Sequence, residues 1–228
     1  MNESDATALV AAEALSIPAE LRSYYETLYD RTLLWADGSS KQLRIIALTS
    51  CLSNEGVSTV AANFAATLAH HAQGSVLFVD ANLRRPSAHR IFGLKISPGL
   101  LDMLVEGPRN REIIHSSPQG NLFVLCSGRM PVDPARLCRS RVFQNLVDQW
   151  RRQYRFVVLD LPALSEDGFA LPLASLADGV IWVVEAGRLR WQVAQRTKER
   201  LLEAKANLLG VVLNKRRFPV PGWLYKTL

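Results

Sequence analysis

No apolar run in this 228-residue chain approaches the 18 or more residues of a membrane-spanning helix; the best are Val180–Val184 and Ile45–Leu48. Cysteine is scarce: Cys51, Cys126 and Cys138 sit at no metal-ligand spacing, and the first two lie in or beside apolar runs. That excludes a disulfide framework and a zinc module, and predicts reduced thiols in a cytoplasmic protein. The start, Met1-Asn2-Glu3-Ser4-Asp5, is acidic and lacks the basic residues and long apolar core of a secretory signal. Internal repeats and low-complexity segments are also missing. What is present is 48% hydrophobic and 21% charged, enough for a sizeable core in one large α/β domain.

Charge is unevenly spread. Residues 1–30 hold Glu3, Asp5, Glu13, Glu20, Glu26 and Asp30 against Arg22 alone, a net of −5, which leaves +11 for the body. A basic body suits phosphates, an anionic membrane face or an acidic partner; the plain alternative is a solvated surface with its own acidic head.

In chain order, residues 1–18 read as a mobile or weakly helical leader closed by Pro18. Leu21, Tyr24, Tyr25, Leu28, Thr32 and Trp35 recur at helical steps and predict an amphipathic helix over 19–35, followed by a turn at 37–40. Continuous apolar runs predict strands at 43–50, 75–80, 121–126, 156–160, 179–184 and 208–213. Between them fall helices at 58–71, 99–105, 111–115, 134–154, 170–177 and 191–206. Val60, Phe64 and Leu68 line the inner side of the first of these, and Leu137, Val142, Leu146, Val147 and Trp150 that of the fourth. Alternating strands and helices with buried strands predict a doubly wound, mostly parallel sheet flanked by helices, whose ligands sit at the carboxyl ends of the strands. The expected division is a leader with its helix over 1–40, an α/β domain over 41–217 and a tail over 218–228.

Four features fall at those strand ends: the loop at 51–59, Asp80, Asp160 and Asn214. The loop Cys51-Leu52-Ser53-Asn54-Glu55-Gly56-Val57-Ser58-Thr59 joins a strand to a helix opening on Gly and two hydroxyl residues, the layout of a phosphate-binding P-loop. Ser58 or Thr59 supplies a hydroxyl for Mg²⁺, and two strand-end acids point toward the same loop. Either Asp alone could merely cap a turn. The Lys that a P-loop carries is Val57 here.

The chain resembles the bacterial tyrosine kinases of capsule and exopolysaccharide synthesis, relatives of the MinD/ParA ATPases, over Glu26 to Lys215. The family's Pro-Gly-Glu-Gly-Lys-Ser/Thr corresponds to Ser53-Asn54-Glu55-Gly56-Val57-Ser58, and its Asp-x-Asp-x-Arg-Arg-Pro to Asp80-Ala81-Asn82-Leu83-Arg84-Arg85-Pro86. Its Asp-Ser/Thr-Pro-Pro corresponds to Asp160-Leu161-Pro162-Ala163. Gly99-Leu100-Leu101-Asp102-Met103-Leu104, Ala177-Asp178-Gly179-Val180 and Gly210-Val211-Val212-Leu213-Asn214-Lys215 match in the same order. The resemblance implies a P-loop NTPase fold with ATP or ADP and Mg²⁺ on Asn54, Glu55, Gly56, Val57, Ser58 and Thr59. It makes Ser58, Asp80 and Asp160 the metal residues, Asp80 also the general base, and Asn214 the adenine contact. Arg84 and Arg85 assist phosphate chemistry or subunit contacts, or are an ordinary solvated pair.

The departures from the family pattern all weaken catalysis. Val57 removes a charge-assisted hydrogen bond of about 1.5–3 kcal/mol, Asn82 replaces the second acid, and Leu161 removes a hydroxyl beside Asp160. Asn54 replaces Gly, and if its φ is positive Asn is the least costly substitute. The tail keeps only Tyr225, while Tyr24, Tyr25 and Tyr29 cluster on the first helix, and Glu26-x-x-Tyr29-x-Arg31 stands where the family uses Glu-x-x-Arg-x-x-Arg for ring assembly.

The reading is a pseudokinase: a catalytically impaired, cytoplasmic regulatory subunit of a polysaccharide export system at the inner face of the plasma membrane, with nucleotide binding weak or absent. Its partner is the membrane chain-length or copolymerase protein, with homo-oligomers or an anionic membrane surface as further contacts, the latter through Lys215-Arg216-Arg217-Phe218, Trp223 and Tyr225. One alternative is an active autokinase in which Arg84, Arg85 or Lys41 replaces the lysine. The other is a MinD/ParA-like positioning module on DNA or membrane; Val57 counts against it, and nucleic acid is not the expected partner.

Overall fold

The structure is a computed structural model that describes residues 15–38, 42–106, 113–118, 120–129, 140–166 and 170–216. Residues 1–14 of the leader, Lys41, Arg111, Leu137, Cys138 and the tail 218–228 with Tyr225 lie outside the described residues.

In order come α1 (Ala19–Gly38), β1 (Ile45–Ser50), α2 (Val57–His71), β2 (Val76–Asp80), α3 (Ala88–Ile91), α4 (Leu100–Glu106) and β3 (Ile114–Ser116). There follow β4 (Leu122–Leu125), α5 (Arg141–Gln153), β5 (Phe156–Asp160), α6 (Ala170–Leu176), β6 (Gly179–Glu185), α7 (Trp191–Glu203) and β7 (Leu208–Asn214). One sheet runs β3-β4-β2-β5-β1-β6-β7, parallel throughout except for β3. A parallel sheet is buried on both faces, and β1, β2 and β5 are enclosed along their whole length.

Period-two alternation sorts the strand residues between two cores. Ile46, Leu48, Val76, Phe78, Phe156 and Val158 face α2, which packs Val60, Phe64 and Leu68 against them. Ile45, Ala47, Leu77, Val79, Val157 and Leu159 face the opposite core, built with Leu100, Phe143, Trp150 and Leu173. The alanines of α2, Ala61, Ala62, Ala65, Ala66 and Ala69, are all buried, so the helix sits close on the sheet.

Three expectations are corrected. Ile114 and His115, expected in a helix, form β3 instead, antiparallel to β4 with Ile114 opposite Leu125. Pairing to the open edge of β4 outweighs local helical spacing there. In α5, Phe143 rather than Val142 turns inward with Leu146, Val147 and Trp150, the four lying at the i, i+3, i+4, i+7 spacing of one helix face, and Ser140 caps the helix by accepting the Phe143 N–H. On α1 the packed side is Tyr25, Leu28, Tyr29, Thr32, Leu33 and Ala36, while Leu21, Tyr24 and Trp35 are exposed. Of the leader, Leu15 is buried in the α2-side core. The short helix α3, unrecognised in the sequence, is tied to Asp80 as described below.

Phe64→Ala removes a fully buried ring from the centre of the α2-side core and is expected to cost about 3–5 kcal/mol in urea unfolding. Val142→Ala, on the exposed side of α5, is expected to stay within about 0.5 kcal/mol of wild type.

Candidate functional site: a phosphate loop over two buried carboxylates

β1 delivers the chain to the loop at Cys51, and α2 starts at Val57. Two left-handed residues shape the loop, Asn54 (φ 64°) and Gly56 (φ 87°). Asn54 therefore stands where a Gly would be unstrained, and Asn tolerates the conformation best among the others. Gly56 is required twice over, because a Cβ there would also collide with Nδ2 of Asn214.

The Glu55 side chain does not face a ligand. It is buried, accepting the Leu52 N–H at 2.8 Å and the Glu185 N–H at 3.0 Å, so it ties the loop to itself and to the end of β6. The loop carbonyls are held from outside. Arg188 Nη1 donates to Ser53 O at 2.8 Å, Lys215 Nζ to Asn54 O at 2.6 Å, and Asn214 Nδ2 to Glu55 O at 2.8 Å. Among the described residues, none offers an acceptor to the N–H groups of Asn54, Glu55, Gly56, Val57 or Ser58. Those donors, with the positive end of the α2 dipole behind them, suit an anion. Val57 is 8% exposed and packs in the α2-side core; Ser58 is half-buried and Thr59 exposed.

Beneath the loop lie the two acids. Asp80 and Asp160 are register partners on β2 and β5, and alternation puts both on the α2 face, in line with Phe78 and Val158. Neither is accessible to solvent. Asp80 Oδ2 accepts the Ser87 and Ala88 N–H groups, each at 2.8 Å, and Oδ1 accepts that of Asn82 at 3.2 Å, so it shapes the turn into α3. Both oxygens of Asp160 are enclosed without a hydrogen-bond partner among the described residues. Burial raises the Asp80 carboxyl to about 6 against its three N–H donors. Burial, and then the Asp80 charge, push Asp160 well above the usual carboxylate range, while Ser58 opposes the shift. The Cys126 thiol, pushed up to about 12 by burial and by Asp80, is inert beside them.

A partnerless buried carboxylate, a second one alongside and a hydroxyl at the helix start fit a hard cation such as Mg²⁺. Mg²⁺ usually takes one or two carboxylates and completes its shell with water and phosphate. Accordingly, the described residues contain no cluster of three or more His, Cys, Asp or Glu side chains that could hold a metal alone.

The other expected residues take different positions. Arg84 and Arg85 are exposed on the turn after Asp80, and Arg85 pairs with Glu166 at 3.1 Å. Asn82 Oδ1 accepts the Arg85 N–H at 3.3 Å, closing that turn. Tyr25 accepts from Asn63 at 3.2 Å and Tyr29 stacks on His71, both packing roles, while Tyr24 is exposed. Asp102 accepts the Gly99 N–H at 2.6 Å, and Asp178 accepts those of Arg44 and Ile45, so two of the matched motifs are structural clips. Sequence reading missed Glu185 and Arg188. The signal was available: β6 ends on an acid as β2 and β5 do, one residue beyond the expected boundary.

The raised carboxyls set a pH dependence with a definite sign. Below about pH 4 they are protonated in both folded and unfolded chains and cost nothing. As pH rises from about 4 the unfolded chain ionises first, and the Mg²⁺-free fold loses stability until the folded carboxyls ionise too, at about 6 for Asp80 and higher for Asp160. Asp160→Asn is therefore expected to be more stable than wild type at pH 8 without Mg²⁺, by about 1–3 kcal/mol. The gain should shrink toward pH 4 in urea unfolding; a gain independent of pH would contradict the assignment.

No family model matches the chain. The Bacillus subtilis (strain 168) tyrosine-protein kinase YwqD is 32% identical over 205 residues, 90% of this chain and 85% of that protein. The succinoglycan biosynthesis transport protein ExoP of Rhizobium meliloti (strain 1021) is 32% identical over 182 residues, 78% of this chain but 23% of ExoP. Among solved structures, the chimerical protein CapA2B2 superposes with a TM-score of 0.82 at 29% identity, covering 92% of this chain and 91% of that one. The fold is that of the MinD/ParA-like P-loop NTPases. With motif order, sheet topology and near full-length similarity to YwqD in agreement, the chain belongs to the bacterial tyrosine-protein kinase family.

Proposed function

We propose that the chain is a catalytically impaired member of this family, a pseudokinase that serves as a regulatory subunit of a capsule or exopolysaccharide export system. The observation that carries this reading is Val57: an aliphatic side chain packed in the core where phosphate charge would otherwise be met by an ammonium group. Loss of one preorganised charge-stabilising donor costs on the order of 10²–10³ in rate. Asn82 closes a turn and adds no second acid.

The metal half of the site is kept. Asp160, Asp80 and Ser58 would hold Mg²⁺, and the loop N–H groups from Asn54 to Ser58 would hold the phosphates of ATP or ADP. The cation, when bound, supplies charge neutralisation between phosphate oxygens. Asp160 needs that positive charge nearby to stay ionised while enclosed. The adenine contact we propose is Asn214, whose amide nitrogen also donates to Glu55 O.

For an active autokinase one of the basic residues near the loop would have to replace the lysine. Arg85 is held by Glu166, which counts against it. The partner we propose is a membrane copolymerase protein. What supports this is ExoP, a succinoglycan biosynthesis transport protein in which the matched segment is 23% of a much longer chain. Attachment at the inner membrane face through that partner or an anionic surface is part of the proposal; no helix among the described residues is long and apolar enough to cross a membrane.

Val57→Lys tests the reading. The variant is expected to bind Mg-ADP about 10–100-fold more tightly than wild type by calorimetry, the equivalent of one charge-assisted hydrogen bond, and to gain phosphotyrosine from Mg-ATP. Equal affinity and equal phosphorylation in the two proteins would sink it.

A further inference from the structure

The outer side of the loop carries an ion cluster for which the family resemblance implies no role, although Lys215 ends a matched motif. Glu185, the last residue of β6, accepts from Arg188 at 3.1 Å and from Lys215 at 3.2 Å through the same oxygen. Both cations continue onto the loop, Arg188 to Ser53 O and Lys215 to Asn54 O. With Asn214 on Glu55 O, three consecutive carbonyls are pinned on one side. In a trans peptide the C=O and the following N–H point in opposite directions. Pinning the carbonyls of Ser53, Asn54 and Glu55 outward therefore turns the N–H groups of Asn54, Glu55 and Gly56 inward, as a nest of three donors.

Electrostatics favour the same assignment. Glu55 and Glu185 place two negative charges against a loop suited to phosphate, and Val57 offers nothing to oppose them. Arg188 and Lys215 cancel those two charges. The half-exposed pairs alone would contribute little to stability; their effect lies in what they hold. A cation on a peptide oxygen also polarises that peptide and strengthens its N–H as a donor.

We infer that Lys215 and Arg188 are positioning residues that clamp the phosphate loop from outside and keep it able to hold a nucleotide's phosphates without the P-loop lysine. The inference rests on the reading of the site as a Mg-nucleotide site, so the test has one arm that needs no nucleotide. In hydrogen exchange of the whole chain, the double variant Lys215→Met/Arg188→Met is expected to exchange the bonded amides that tie the loop through Glu55, those of Leu52 and Glu185, at least tenfold faster, with β1 and β5 unchanged. In calorimetry with Mg-ADP the same variant is expected to lose tenfold or more in affinity. Lys215→Arg alone should retain it, and Lys198→Met, a cation on the exposed side of α7, should have no effect in either arm. Unchanged exchange in the double variant overturns the clamp. Faster exchange with wild-type affinity overturns its role in phosphate binding. If wild type takes up no Mg-ADP, the nucleotide reading fails and takes the phosphate role with it, while the exchange arm still decides the clamp.

Discussion

Two carboxylates, side by side at the ends of adjacent strands and closed off from water, are the constraint on which this site depends. Asp80 and Asp160 cannot both ionise in that place without a compensating charge. Asp80 is partly compensated by three backbone N–H groups, which is why the chain turns into α3 where it does. Asp160 has no such backbone donor, only the Ser58 hydroxyl to oppose the rise of its pKa. An apolar or amide residue would fill the position at lower cost, so the cost is intelligible if a cation is part of the working state. On the proposed reading the surroundings of the pair would bring a cation and its anion together: the parallel register sets the acids level, and the start of α2 adds a hydroxyl and a helix dipole.

On the proposed reading, the two halves of the site have parted. The metal half has its acids and its hydroxyl. The phosphate half has its backbone donors but has lost its ammonium, and Val57 has become a core residue. The loop is nevertheless strongly braced: Glu55 ties it from within, and Arg188, Lys215 and Asn214 hold it from outside. Such bracing fits a protein in which binding geometry is retained and rapid phosphoryl transfer is not.

Much of this was legible in the sequence because the relevant signals are local. Buried strands of a parallel sheet are continuous apolar runs, so six of the seven strands could be read to within two residues. Asn54 stands where the family has Gly, and the positive φ that the sequence left as a condition is the one the loop adopts. Hidden features were those set by tertiary partners. Ile114–Ser116 is a strand only because the edge of β4 is open to it. Phe143 rather than Val142 faces the core, since packing against the sheet selects the face of Phe143, Leu146, Val147 and Trp150. Glu55 looked like a ligand residue, and its internal role depends on the end of β6, 130 residues away. Lys215 lay inside a recognised motif, yet its partner is the carbonyl of Asn54, a group that sequence does not single out.

The central claim is that this kinase fold holds a Mg-nucleotide and does not transfer its phosphate to tyrosine at a useful rate. The most direct measurement follows γ-labelled ATP with the full-length wild-type chain, scoring bound nucleotide and labelled tyrosine in one sample, with and without Mg²⁺. The account predicts saturable, Mg²⁺-dependent binding at one nucleotide per chain, with no tyrosine label accumulating over many binding lifetimes. Label appearing on tyrosine at the rate of an ordinary kinase, about 1–100 per second, would contradict it.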